Sequence, residues 1–251
     1  MITEYHRPNT IEEALRLLAR QDVKTLPLGG GSVLNTPQPQ QYAVVDLQAL
    51  GLNRIEKKGN TLLAGATATL QELLDTPDLP VALTKAIQHE ATYNLRQVAT
   101  LAGTLVAAGG RSPLATVWLA MDAQITVLPG EERVGVGELL LTREERLPGR
   151  LIISIALPLN VSLAYQYVAR TPADQPLVCA AAARWSSGRT RLALGGYGEA
   201  PILAMDGPEA EGAVEAARSA YFNAGDQWAS AEYRREIAAI LAQRCLGELT
   251  G

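Results

Sequence analysis

Cysteine, histidine and basic charge are all scarce in this sequence, and each shortage removes a class of function. The two cysteines, Cys179 and Cys245, lie far apart inside apolar stretches. That is neither a disulfide framework nor a metal or iron–sulfur spacing, so both read as small core residues. Any redox chemistry would have to come from an organic cofactor or a partner chain. The two histidines, His6 and His89, have no Ser, Cys or Asp arrangement tied to them, which argues against a catalytic triad or a zinc site. With 22 Lys and Arg against 26 Asp and Glu the net charge is −4, so no basic face is expected to neutralise nucleic-acid phosphates. No apolar segment approaches the roughly 18 residues that a membrane-spanning helix needs. The stretch MITEYHRPNTIEEALRLL lacks the basic-then-apolar pattern of a secretory signal, so no membrane span and a cytoplasmic location are expected.

What remains is ordinary globular material, 251 residues with 47% hydrophobic and 19% charged, enough for one large domain or two modest ones. Thr10 and Glu13 have capping-box spacing ahead of a helix whose apolar face is Ile11, Ala14, Leu15, Leu18 and Ala19. A strand at 23–26 runs into Gly29-Gly30-Gly31, and further strands are read at 42–47 and 61–66 around a turn at Lys57-Lys58-Gly59-Asn60. A second lobe opens where Thr69 and Glu72 again suggest a helix start. Helices from Pro80 to Glu90 and from Pro113 follow, separated by a loop, and then strands at 124–128 and 150–157. From about residue 160 the pattern becomes three strands, 163–170, 178–185 and 189–194, closed by two helices. The last helix is expected from about Ser230 to Leu246, with Ile237, Ile240, Leu241 and Arg244 at helical spacing and Gly247 as its stop. The fold class is α+β.

Two stretches stand out chemically. In Leu28-Gly29-Gly30-Gly31-Ser32-Val33-Leu34, residues without side chains let successive N–H groups converge on an anion such as a pyrophosphate. The spacing is neither the dinucleotide fingerprint nor a P-loop, and on this stretch alone a flexible turn is the plainer reading. The second stretch, Leu95 to Ser112, is rich in small and hydroxylated residues. Thr100, Thr104 and Ser112 can donate to phosphate or ribityl oxygens, although tight helix packing explains the composition equally well.

At these stretches the chain resembles the FAD-binding medium subunits of molybdenum hydroxylases, the family of carbon monoxide dehydrogenase and xanthine dehydrogenase. LGGGSVL at 28–34 is similar to the family's AGGTDLL loop. LRQVATLAGTLVAAGGRSPLATVWLAMDA at 95–123 follows its second motif without a gap, down to Met121-Asp122-Ala123. VVDLQALGLNRI at 44–55, LLAGATATLQELL at 62–74, LALGGYGEAPILA at 192–204 and YRREIAAILAQRCL near the end resemble further family segments in the same order. Nearly the whole chain is covered.

The resemblance implies a two-lobed FAD-binding domain of the vanillyl-alcohol-oxidase (PCMH) type over 1–159, with lobes of about 1–57 and 58–159. A C-terminal domain over 160–251 follows, a three-stranded sheet with helices. FAD would lie between the lobes. Its implied contacts are Pro27, Leu28, Gly29, Gly30, Gly31, Ser32 and Val33 in the first loop. Thr100, Leu101, Ala102, Gly103, Thr104 and Ser112 supply the second, together with the backbone of Ile153, otherwise a core residue. No catalytic or metal-ligating residue is expected. A molybdopterin-binding large subunit and a small subunit with [2Fe–2S] clusters would be partners, and the flavin would pass electrons to NAD, oxygen or a quinone.

Three departures from the family pattern fall in the second motif, where Ala102 replaces a glycine, Thr104 an Asn and Pro113 an Asp. Gln38 lies near the place of a frequent Lys. They leave open a second reading, a cofactor-free scaffold or assembly subunit of such a complex. A self-contained FAD oxidase is disfavoured, because no acid/base constellation appears. Tyr165 and Tyr167 alternate on a strand and offer aromatic packing near the flavin ring, but core or cross-strand packing is the favoured expectation. Arg170 reads as a strand-end or interface charge.

Overall fold

The computed structural model describes residues 1–34 and 40–250, so the expectation at Gln38 lies outside the described residues. Among these, three sheets carry the architecture. The first is parallel: β1 (Ile2–His6), β2 (Thr25–Leu28) and β3 (Tyr42–Asp46), in the order β1-β3-β2. The second is antiparallel, with β4 (Ile55–Lys58), β5 (Thr61–Gly65), β6 (Gln124–Leu128), β7 (Glu132–Gly135) and β8 (Leu151–Pro158) in the order β4-β5-β8-β6-β7. The third is the meander β9 (Val161–Val168), β10 (Val178–Trp185), β11 (Thr190–Gly195) and β12 (Ile202–Gly207). No described helix is long and apolar enough to cross a membrane.

Local sequence explains most helices. Helix α1 (Ile11–Leu18) begins where the Thr10 hydroxyl accepts from Glu13 N, and it lays Ala14 and Leu18 on Val45 and Leu47 of the parallel sheet. A full capping box between Thr69 and Glu72 opens α2 (Leu70–Leu74). Then come α3 (Val81–Glu90), after Pro80, and the short α4 (Tyr93–Arg96). Thr100 caps α5 (Leu101–Ala107), and Ser112 caps α6 (Pro113–Ala120), where proline at the first position loses no helical hydrogen bond. Helices α7 (Val136–Arg146), α8 (Ala213–Ala220) and α9 (Ala231–Glu248) complete the set.

The main core cluster runs from Leu62 through the fully buried Trp118 to Ile155, and it also takes in Tyr165, Cys179, Ala181, Ala183 and Ala193 of the third sheet. Strand β10 is buried on both faces. Its odd positions join that core, while Val178, Ala180 and Ala182 join a second cluster under α8 and α9. A strand covered by helices on both sides has room only for small residues, which accounts for Cys-Ala-Ala-Ala-Ala. Burial pushes the thiols of Cys179 and Cys245 up to about 12, so both stay protonated packing groups.

Several sequence expectations need correction. The strand placed at 23–26 lies two residues later, and the segment 95–112 carries α4 and α5. The third sheet has four strands: β12 was missed because it offers no apolar alternation, with Ile202 and Leu203 both at the surface. β1, β4, β7 and α7 were likewise unannounced. Helix α9 runs past Gly247 to Glu248 and buries Ala238, Leu241, Ala242 and Cys245, whereas Ile240 and Arg244 are exposed.

Arg234 on α9 is completely buried. It donates to the carbonyls of Leu177 (3.0 Å), Ala224 (2.7 Å) and Ala229 (3.1 Å), and pairs with Asp226 at 2.8 Å. One guanidinium thus ties α9 to the start of β10 and to the loop before it. Arg234→Met keeps apolar volume but strands these acceptors, and is expected to lower unfolding free energy by about 3 kcal/mol in urea titrations.

Candidate functional site

The glycine loop and the second motif, remote in sequence, meet backbone to backbone. Strand β2 delivers the loop: Pro27 sits in an edge strand, where its missing N–H costs no ladder bond, and Leu28 accepts from Leu47 N at 3.0 Å. A carbon atom placed on Gly30 would fall 1.5 Å from the carbonyl oxygen of Val98, and one on Gly29 would fall 2.6 Å from Thr100 Oγ1. Glycine is required here by the facing protein chain. Gly31 has φ +72, a conformation that side chains disfavour. The amides of Gly29, Gly30, Gly31 and Ser32 donate to no described residue. Successive unpartnered amides in a glycine turn form a cradle that an anion fits.

The second motif has a different character from the open loop that its composition suggested. Leu101 N donates to Ala68 O (2.8 Å), Ala102 N to Ala66 O (3.1 Å), Gly103 N to Thr100 Oγ1 (3.2 Å) and Thr104 N to Thr100 O (2.8 Å). These amides are committed to the first turn of α5 and to the segment after β5. The Ala102 methyl is partly buried against the main core, which absorbs the extra carbon. Thr104 is half-buried, and its hydroxyl has no hydrogen-bond partner among the described residues. Ile153, the extra residue of a bulge between β8 and β6, passes its carbonyl to Ala66 N at 3.0 Å and packs in the α1 cluster.

Between α3 and the head of α6 lies a set of polar contacts that the sequence did not announce. Ser112, nearly inaccessible, accepts from Ala115 N (3.1 Å) and donates to Glu90 Oε2 (2.7 Å), while Leu114 N donates to the same carboxylate oxygen at 2.9 Å. The Ser112 hydroxyl is thus turned inward. Pro113 is buried at the head of α6, and Glu90, from α3, brings a carboxylate to the helix end that the sequence leaves without an acid of its own. No spacing rule connects Glu90 to Ser112, so only the fold reveals the pair. His89 Nε2 lies 2.9 Å from the Asp174 carbonyl, which can only accept. In the neutral ring Nδ1 therefore accepts from the buried Tyr165 hydroxyl at 3.1 Å. Tyr165 packs in the core, as the favoured expectation had it, and Tyr167 is partly exposed with its ring 4.0 Å from that of His89. Arg170 is a surface charge paired with Asp174. Asp122, part of the second motif, ion-pairs with Arg189 and Arg191, each at 3.0 Å.

A glycine turn whose amides donate to no described residue thus stands at the end of the parallel sheet, beside a helix start of small residues. Residues 1–160 match the family model described as the FAD binding domain in molybdopterin dehydrogenase, and the chain belongs to that family. FAD is the cofactor of this domain, and the family is one of oxidoreductases. The chain is 29% identical over 247 residues to the uncharacterised protein YgfM of Escherichia coli K12, covering 96% of this chain and 94% of that one. It is 24% identical over 275 residues to the carbon monoxide dehydrogenase medium chain of Afipia carboxidovorans, covering 97% and 95%. Its fold is similar to that of a chain in the crystal structure of Cu,Mo-CO dehydrogenase, with TM-score 0.80 at 22% identity over 99% of this chain and 98% of that one.

Two substitutions probe this geometry. Gly30→Ala forces the loops apart and is expected to destabilise the chain by about 1–3 kcal/mol. Gly109→Ala, with open space around it, is expected to stay within about 0.5 kcal/mol in the same denaturant titrations. Desolvation pushes the Glu90 carboxyl up, against the lowering effect of the Leu114 amide and Ser112 hydroxyl. A carboxyl raised in the folded state stabilises fully below its unfolded value, and that contribution is lost as pH rises through the folded value. Glu90→Gln, neutral throughout, should flatten the fall in stability from acid to neutral pH. Urea midpoints across that range check this, and a fall as steep as in the parent protein contradicts it.

Proposed function

We propose that this chain is the FAD-carrying electron-transfer subunit of a cytoplasmic molybdenum hydroxylase complex. The observation that carries the reading is the run of amides at Gly29 to Ser32 with no partner among the described residues, held in place by close approach to the Val98 main chain and the Thr100 side chain. These amides, with Val33 closing the loop, hold the diphosphate, and the Thr104 hydroxyl adds a donor from the facing helix. Thr100 and Ser112 act indirectly, Thr100 by capping α5 and Ser112 by fixing the head of α6 through Glu90. Bound FAD supplies exchange of electrons between a partner's [2Fe–2S] clusters and NAD, oxygen or a quinone. The organic substrate is oxidised on a separate molybdopterin-binding subunit, in keeping with the name of the similar carbon monoxide dehydrogenase medium chain, one component of a larger enzyme.

In this reading the parallel sheet and the β4–β8 sheet are the two lobes of a PCMH-type domain over 1–159, and 160–251 form the C-terminal domain. Ala102 and Pro113 do not weigh against flavin, because one methyl packs toward the core and the other residue is buried at a helix start.

Purified chain, expressed with riboflavin supplied, is expected to be yellow and to release FAD in a 1:1 ratio on denaturation. Copurification with its partners should add an iron–sulfur absorption envelope. A colourless protein that also fails to quench FAD fluorescence on titration would mean the scaffold role instead.

A further inference from the structure

Every position in the two FAD-facing loops is uncharged, from Pro27 to Val33 and from Thr100 to Thr104, yet the diphosphate they would hold is an anion. Arg96, between the loops, is spent elsewhere: it donates to Ala91 O at 2.7 Å and lies over the Tyr93 ring. A cation does stand on the same edge of the parallel sheet. The registers His6 with Val45 and Leu28 with Asp46 put Arg7, Asp46 and Leu28 side by side at the carboxyl ends of the three strands, one residue before the glycine loop. That is the edge at which open parallel sheets bind ligands. Neighbouring strands lie about 4.8 Å apart, so the ends of β1 and β2 are separated by roughly 10 Å, across which a long arginine side chain reaches most of the way.

Arg7 is poised rather than occupied. Its side chain is 57% exposed, and its one charged contact among the described residues is Nε to Asp46 Oδ2 at 3.8 Å. It makes no hydrogen bond to a described residue. Asp46 is itself fixed, since its carboxylate accepts from the Tyr5 hydroxyl and from Gln48 N at 2.9 Å. A buried, doubly bonded carboxylate on the middle strand thus draws the arginine side chain toward β2 and leaves its terminal nitrogens unsatisfied. A guanidinium with both terminal nitrogens unused suits a phosphate, which it can grip with two parallel bonds.

We propose that Arg7, steered by Asp46, is the cationic partner of the FAD diphosphate, supplementing the neutral amides of the glycine loop. The inference rests on the reading of that loop as the diphosphate site. Full-length chain stripped of flavin and titrated with FAD, followed by flavin fluorescence, tests it. Arg7→Gln is expected to weaken FAD binding on the order of tenfold. Arg7→Lys, which keeps the charge but not the two parallel bonds, should recover part of the loss, and the gap between Gln and the parent should narrow as salt is raised. Thermal unfolding of the flavin-free variants should match the parent. Equal FAD affinity in Arg7→Gln, an equal loss in Arg7→Lys, or a gap indifferent to salt overturns the role of Arg7. If the parent chain itself binds no FAD, the loop reading beneath it fails instead.

Discussion

The close approach of Gly30 to the Val98 carbonyl governs this molecule, because there is no space between them for one carbon atom. Much of the surrounding structure serves to hold two main chains that near. The parallel sheet presses the loop forward through the Leu47 amide on Leu28. On the other side, the amides of Leu101 and Ala102 bind the segment after β5 and keep the start of α5 from receding. Rigid support on both sides is what allows four amides to remain without a partner among the described residues and the loop not to collapse onto them. A preformed cradle of this kind spares a ligand the ordering cost of folding the loop around itself.

Electrostatics around the cradle follow a division of labour. The glycine loop carries only neutral groups, while three charged side chains elsewhere are held by bonds of their own: Glu90 takes the Ser112 hydroxyl and the Leu114 amide, Asp46 takes the Tyr5 hydroxyl, and Arg96 is tied to carbonyls. The Asp174 carbonyl holds His89 Nε2, which turns Nδ1 toward the Tyr165 hydroxyl.

The sequence made much of this legible where local rules apply. Thr10 and Thr69 cap helices as their spacing to Glu13 and Glu72 announced, whereas the caps at Thr100 and Ser112, read from the sequence as ligand donors, came only with the fold; the strands at 124–128 and 178–185 fell where alternation and apolar runs placed them. What stayed hidden was non-local. β12 has no apolar pattern because it is an edge strand with exposed Ile202 and Leu203. The small residues of 95–112 look like a loop by composition, yet the segment carries α4 and α5, with Gly103, Ala107 and Gly109 exposed. For the site, the glycine loop was visible as a pattern, whereas the reason for its glycines, the facing Val98 and Thr100, emerged only from the fold. Glu90 and Arg7 carry no motif at all; each gained its place from an element that tertiary packing brought near.

The alanine strand β10 separates two helical layers, with α6 against one face and α9 against the other, and a carbon atom on Gly195 of its neighbour β11 would meet both Thr116 and Cys179 at under 3 Å. The family match ends at residue 160, but this packing does not respect that boundary. Side-chain sizes on α6 and on the third sheet are therefore inherited together. In exchanges between relatives, a C-terminal segment carrying bulkier residues on its middle strand would be accepted only with a correspondingly slimmer α6, so the unit of recombination is larger than the segment of the family match.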